Sequence, residues 1–170
     1  MSQPPLLPEE TFARVIRLAK SDGFGVLAFS GLFAVLAATG GDSSGAMVGL
    51  IVAGAGAVEL HGAGLLQAGE GRGMRWLIGS QLFLLVAILG YCALRLVQVE
   101  LPPIPEEMQS LVESSAQQAD LPVPDYLLLV YRVSFGFVAL AAVIYQGGMT
   151  IYYLRRRAAV RQFLEIPPSE

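Results

Sequence analysis

The sequence predicts an all-α integral membrane protein, built as a four-helix transmembrane bundle. A cytoplasmic interfacial helix precedes the bundle, and a short outer-side amphipathic helix lies between spans three and four. Three observations support this: a low charge content, four long apolar segments and a one-sided distribution of basic residues. Of the 170 residues, 54% are hydrophobic and 15% are charged, whereas soluble domains carry about 25% charged residues. This deficit of charge favours a membrane protein over a soluble domain.

Four segments are apolar enough to cross a hydrocarbon core, which takes about 20 helical residues. They cover 24–39, 46–68, 74–97 and 126–154. The first is a little short and could instead be a cleaved signal peptide. Its long basic flank and the poor cleavage sequence "LAATGG" favour a retained span. The fourth is long enough to tilt or to project from the bilayer.

The basic residues predict the orientation of these spans. Nine of the eleven Lys and Arg residues fall at one end of the four segments: Arg14, Arg17, Lys20, Arg72, Arg75, Arg155, Arg156, Arg157 and Arg161. The connection 98–125 contains no Lys or Arg and six acidic residues. By the positive-inside rule, both termini lie in the cytoplasm, and we expect the plasma (inner) membrane. The expected partner of the chain is then the lipid bilayer.

Two amphipathic helices are expected outside the spans of this single domain. In the segment 9–21, Phe12, Val15, Ile16 and Ala19 recur at helical spacing among basic residues, as in a helix lying in the cytoplasmic headgroup region. In the acidic outer loop 98–125, Pro105 begins a short helix with acids in its first turn. The remaining segment, 155–170, is expected to be a basic cytoplasmic tail.

Small residues in the second span predict close helix packing. Gly45, Gly49, Ala53 and Ala57 recur every four residues, a spacing that lets helix backbones approach closely in lipid. The partner could be another span of this chain or a second copy in a homo-oligomer. The sequence leaves both open.

The stretch "VELHGAG" places Glu59 and the only histidine, His61, inside an otherwise apolar span. At about 1.5 Å per residue, Ser30, Gln81 and Gln146 lie at a depth similar to that of Glu59, and His61 belongs to the same layer about one turn nearer the cytoplasm. We therefore expect a polar layer in the inner leaflet, to which all four spans contribute. An ionised carboxylate facing lipid there would cost several kcal/mol, so Glu59 should face protein or water, be paired, or carry a proton. Gln81 and Gln146 could donate hydrogen bonds to it, whereas His61 is about 200° away around the helix.

Three interpretations of this layer stay open. It could be a protonatable site of an oligomeric channel, transporter or sensor for protons, cations or a small solute. It could be a structural network in a non-transporting subunit or scaffold of a membrane complex. It could also line a pocket for a lipid, quinone or pigment. No catalytic constellation is readable, which favours a protein that is not an enzyme.

Charged and aromatic residues near the span ends are expected to anchor the bundle. On the outer side, Arg95 should extend to the surface and Arg132 could pair with Asp125 or Glu100. Near the inner interface, Tyr152 and Tyr153 fit an aromatic belt. "GLIVAGAGAVE" resembles a dinucleotide-binding loop only weakly, since membrane spans and no βαβ unit follow. One His and one Cys exclude a histidine–cysteine metal cluster, and no pattern indicates a cofactor or nucleic acid.

Overall fold

A computed structural model of the protein describes residues 7–99, 101 and 104–165, and this part of the chain is helical with no strand. Its five helices are α1 (Pro8–Thr39), α2 (Ser43–Gln67), α3 (Gly73–Val97), α4 (Glu106–Gln118) and α5 (Val123–Glu165). Four of them, α1, α2, α3 and α5, are long and apolar enough to cross a membrane. The all-helical class and the four candidate spans predicted from the sequence are confirmed.

The four long helices form a ring. In it α1 packs on α2, α2 on α3, α3 on α5, and α5 back on α1, while α4 packs on α5. The beginning of α1 and the end of α5 lie side by side, with the ring centroids of Phe12 and Phe163 separated by 4.7 Å. We call this the terminal end of the bundle, and the end near α4 the α4 end.

The interfacial helix expected over 9–21 is not a separate element, because α1 continues unbroken from Pro8 to Thr39. Val15, Ile16 and Ala19 do share one face, as their spacing predicts. That face is buried in a core cluster with Tyr153 and other residues of α2, α3 and α5. The apolar stripe therefore packs against protein within the bundle instead of lying on a headgroup layer.

The long α5 supplies much of the surface that covers this stripe. It extends past the predicted span 126–154 as far as Glu165, so the first part of the expected tail is helical. Val160, in this extension, is fully buried in the same cluster. Residues 166–170 of the expected tail lie outside the described residues.

Close backbone approach joins α1 to α2. A Cβ added at Gly56 would lie 2.7 Å from both the carbonyl oxygen of Gly23 and the amide nitrogen of Leu27. A Cβ at Gly49 would lie 2.9 Å from the Cβ of Ala34. These separations are shorter than a carbon atom tolerates, so only glycine permits this crossing.

The packed face of α2 follows the helical repeat more closely than a strict four-residue spacing. Gly45, Gly49 and Ala53 are buried as predicted, but Ala57 is exposed and Gly56 takes its place. The reason is geometric: at 3.6 residues per turn, a four-residue step drifts off one face within a few turns. Within one copy of the chain, Ala57 therefore does not belong to the packed face of α2.

Candidate functional site

A hydrogen-bonded network of polar side chains lies inside the bundle. At its centre are Glu59 of α2, which is 1% exposed, and Gln81 of α3, which is fully buried. The Tyr153 hydroxyl, from α5, donates to Glu59 Oε1 at 2.7 Å. The Gln81 amide Nε2 donates to the other oxygen, Glu59 Oε2, at 2.9 Å. Each carboxylate oxygen of Glu59 thus has a hydrogen-bond donor.

The same Gln81 amide reaches a second carboxylate, on α1. Its Nε2 donates to Asp22 Oδ2 at 2.8 Å, and the Tyr145 hydroxyl of α5 donates to Asp22 Oδ1 at 2.6 Å. Each carboxylate therefore receives one bond from Gln81 and one from a tyrosine. We call Asp22 and Glu59, joined by Gln81, the carboxylate pair.

This network connects helices that lie diagonally opposite each other in the ring. Tyr153 and Glu59 join α5 to α2, and Gln81 and Asp22 join α3 to α1. Neither of these helix pairs is adjacent in the ring. Both diagonals of the bundle are thus spanned by side-chain hydrogen bonds in one layer, so the layer constrains the register of all four helices.

The lengths of the helices bring these residues to one level. Glu59 precedes the end of α2 at Gln67 by eight residues, and Gln81 follows the start of α3 at Gly73 by eight. Since the two helices are joined by a short turn, both side chains lie about 12 Å from it. Tyr145 and Tyr153, eight residues apart on α5, lie on similar faces because two helical turns take 7.2 residues.

The carboxylate pair is rich in oxygen acceptors and poor in positive charge. Neither Asp22 nor Glu59 forms an ion pair with any described residue, and their hydrogen-bond donors are uncharged. Two further buried oxygens, Gln81 Oε1 and Gln146 Oε1, have no hydrogen-bond partner in the described part of the chain. Such an arrangement suits a proton, a cation or a small donor of hydrogen bonds.

A cavity of about 460 Å³ gives access to one side of the pair. Its polar lining consists of Ser21, Asp22, Ser30, Tyr145 and Gln146, and its apolar lining includes Val52 of α2 and Leu84 of α3. Glu59 does not line this cavity. Asp22, which is partly exposed, is therefore the accessible member of the pair, and Glu59 is the enclosed one.

The residues of the predicted polar layer have different surroundings. Gln81 bonds to Glu59 as its position suggested, but the second donor to Glu59 is Tyr153 and not Gln146. Gln146 is buried nearby, and Ser30 lines the cavity without joining the network.

His61 lies outside the network altogether. Its side chain is exposed and makes an edge-to-face contact with Trp76, the ring centroids being 5.4 Å apart. Glu59 and His61 therefore face different directions, as their angular separation on α2 predicted.

Sequence reasoning missed Asp22, Tyr145 and Tyr153 as members of the site. Asp22 lies between the segment 9–21 and the span 24–39, so neither predicted element included it. Tyr153 was assigned to an interfacial belt. The available signal was the spacing of Tyr145, Gln146, Thr150 and Tyr153, which puts polar groups along one face of α5.

The two arginines that the sequence analysis expected on the outer side, Arg95 and Arg132, also differ from each other. Arg95 Nη2 lies 3.3 Å from Asp42 Oδ2 and 3.1 Å from Ser44 Oγ, so it ties α3 to the start of α2. Asp42 caps α2 by accepting from the Gly45 amide at 2.9 Å, and this bond, with that from Ser44, lowers the pKa of Asp42. Arg95 therefore anchors the turn between α1 and α2.

Arg132, by contrast, is exposed on α5 and forms no ion pair with a described residue, including Asp125. Glu100, the other predicted partner, lies outside the described residues.

Comparisons with protein-family models, with curated proteins and with solved structures find no match to this chain.

Proposed function

We propose that this protein is a small polytopic membrane protein that binds a proton or a small cation at the carboxylate pair, and that it acts as a channel, transporter or sensor for that ion. The observation that carries the proposal is the Gln81 amide, whose single Nε2 donates to both Asp22 and Glu59. The nearest oxygens of the two carboxylates are therefore within two hydrogen-bond lengths of each other. We further propose that the terminal end faces the cytoplasm, as the basic residues predict.

The energetics of burial support this proposal. The enclosed Glu59 carboxylate loses its hydration, and it repels the Asp22 carboxylate that Gln81 holds beside it. Uncharged donors offset part of that cost but do not remove the net charge. One bound proton or cation would remove it, and ionisable groups within membrane spans commonly mark ion or proton pathways.

The cavity suggests the order in which an ion would reach the two carboxylates. An ion arriving from the cavity meets Asp22 before Glu59, because only Asp22 lines it. Tyr145 and Gln146 border the same space and present a hydroxyl and an amide. Asp22 is thus the entry carboxylate and Glu59 the inner carboxylate.

The test is proton and cation flux into proteoliposomes at matched protein incorporation. We expect flux from the wild-type protein to fall at least about tenfold in Glu59→Gln and in Asp22→Asn, because each variant removes one of the two charges. Glu113→Gln is the matched control, since it removes a carboxylate from the exposed surface of α4. Its flux should equal that of the wild type. Equal flux from all four proteins would contradict the proposal.

One observation favours a second function, that of a non-transporting subunit or scaffold. Both oxygens of Glu59 have donors and its side chain is almost fully enclosed, as expected of a network that only specifies packing. Absence of flux from the wild-type protein, with Glu59→Gln at least as stable, would favour this alternative.

A further inference from the structure

A second concave site lies at the terminal end, between the α2–α3 turn and the last turns of α5. Its volume is about 450 Å³. Four arginines line it, namely Arg72, Arg75, Arg157 and Arg161, together with one carboxylate, that of Glu165. We call this the arginine pocket. It shares no residue with the carboxylate pair.

Two of the four arginines already have partners. Arg72 forms an ion pair with Glu70, and Arg161 Nε lies 2.7 Å from Glu165 Oε1. Arg75 and Arg157 are exposed and form no hydrogen bond, ion pair or ring contact with a described residue. The pocket therefore has two guanidinium groups whose donors are uncommitted.

The rest of the lining is apolar. Met74 is 1% exposed and Val160 is fully buried, and Leu164 is packed beside them. The pocket thus combines a cationic rim with an apolar floor. The first carbons of an acyl chain fit such a floor, while the rim suits an anion.

The position of the pocket fits the depth of a phosphate at a membrane surface. Its residues flank the start of α3 at Gly73, where a candidate span begins. Basic pockets between helices at this level are the chemistry that holds anionic lipid headgroups. Guanidinium groups bind phosphate with paired, charge-assisted hydrogen bonds.

We propose that the arginine pocket binds a phosphate-bearing anion through Arg75 and Arg157. The phosphate belongs either to an anionic lipid headgroup or to a free phosphate ion. In both cases the anion offsets the positive charges of Arg75 and Arg157, which no described carboxylate pairs with.

The experiment is native mass spectrometry of the full-length protein released from a neutral detergent. Phosphatidylglycerol, phosphatidylcholine and inorganic phosphate are each added in a concentration series. The pocket variant is Arg75→Gln with Arg157→Gln. The matched control is Arg14→Gln with Arg17→Gln, which removes the same charge from exposed positions of α1 outside the pocket.

We expect one phosphatidylglycerol molecule to bind with an affinity that falls about tenfold or more in the pocket variant, as the loss of charged hydrogen bonds implies. The control variant should bind as the wild type does. If inorganic phosphate binds with the same dependence on Arg75 and Arg157, and phosphatidylglycerol binds no better than phosphatidylcholine, the ligand is free phosphate and the proposal stands in that form. Equal binding by the wild type, the pocket variant and the control would overturn it.

Circular dichroism and thermal unfolding without added lipid check that both variants fold. Arg75 and Arg157 are exposed and form no hydrogen bond, ion pair or ring contact with a described residue. The unfolding temperature of the pocket variant should therefore match that of the wild type, and so should that of the control. The flux measurements on the carboxylate pair do not depend on lipid binding at the arginine pocket. The proposed function and the proposed anion site can therefore be contradicted separately.

Discussion

At the scale of single residues, the enclosed Glu59 carboxylate depends on its donors. Tyr153 is fully buried, and its hydroxyl supplies one of the two hydrogen bonds that Glu59 receives. A buried charged group that loses a donor keeps its desolvation cost while losing the compensation. Tyr153 should therefore stabilise the bundle through its oxygen as well as through its ring.

The neighbouring tyrosine offers a matched comparison. The Tyr152 hydroxyl is also buried, but it has no hydrogen-bond partner among the described residues. We expect Tyr153→Phe to lower the free energy of unfolding by about 1–3 kcal/mol, and Tyr152→Phe to leave it unchanged or slightly higher. Denaturation in detergent measures both. Equal effects of the two variants would contradict a supporting role for the Tyr153 hydroxyl.

The only cysteine provides a convenient probe for such measurements. Cys92 is 2% exposed, so a thiol reagent reaches it only when the structure opens. Because the chain has one Cys, the extent of labelling reports the unfolding of α3 without further mutation.

At the scale of secondary-structure elements, α2 makes close backbone contacts with both of its neighbours in the ring. It packs on both α1 and α3, and its glycines permit the approach. Gly62 and Gly73 form a second close crossing, where a Cβ on Gly73 would lie 2.5 Å from the carbonyl oxygen of Gly62. The small-residue stripe of α2 thus finds its partners within this chain.

Substitutions at two glycines of α2 distinguish the effect of an added methyl group on helix packing from its effect on helix propensity. At Gly56 an added Cβ meets the α1 backbone at 2.7 Å, whereas at Gly54 it meets nothing within 4 Å. Gly56→Ala should lower the free energy of unfolding by about 1–3 kcal/mol through overpacking. Gly54→Ala should leave it unchanged or raise it by up to about 1 kcal/mol.

The measurement is again denaturation in detergent, followed by Cys92 labelling. If Gly56→Ala were as stable as Gly54→Ala, α1 and α2 could move apart without loss of stability. That result would contradict the close crossing described above.

At the scale of the whole molecule, the even number of long helices puts the beginning of α1 and the end of α5 at the terminal end, where Phe12 meets Phe163. Nine of the eleven basic residues also belong to this end or to the segments that lead to it. Their distribution predicts that this end is cytoplasmic.

A topology reporter fused after the last residue should therefore read cytoplasmic, and the same reporter inserted near Asp120 should read periplasmic. Replacing Arg155, Arg156 and Arg157 with Ala should reduce the correctly oriented fraction, because it removes three of the nine basic residues that set the bias. A periplasmic signal from the C-terminal reporter of the unaltered chain would contradict the orientation.

The local sequence alone determined the helical class, the number of long helices and several features of their faces. Runs of apolar residues set the number of long helices, and the repeat of small residues marked the packed face of α2, because both properties depend on neighbours along the chain. The same reasoning marked Glu59 and Gln81 as a pair at one depth. It also separated Glu59 from His61, since angles around a single helix follow from residue spacing.

Tertiary structure decided which groups meet. Residue spacing does not show that Asp22 contacts Gln81, or that Glu59 contacts Tyr153, because these pairs are far apart in the sequence. The bridge between the two carboxylates could therefore not be predicted from the sequence. The surroundings of α1 likewise depend on its partners: the face bearing Val15 and Ile16 suits either lipid or protein, and only the packing of α2, α3 and α5 placed protein against it. Periodicity specifies the face that is buried, whereas the ring order of the helices selects what buries it.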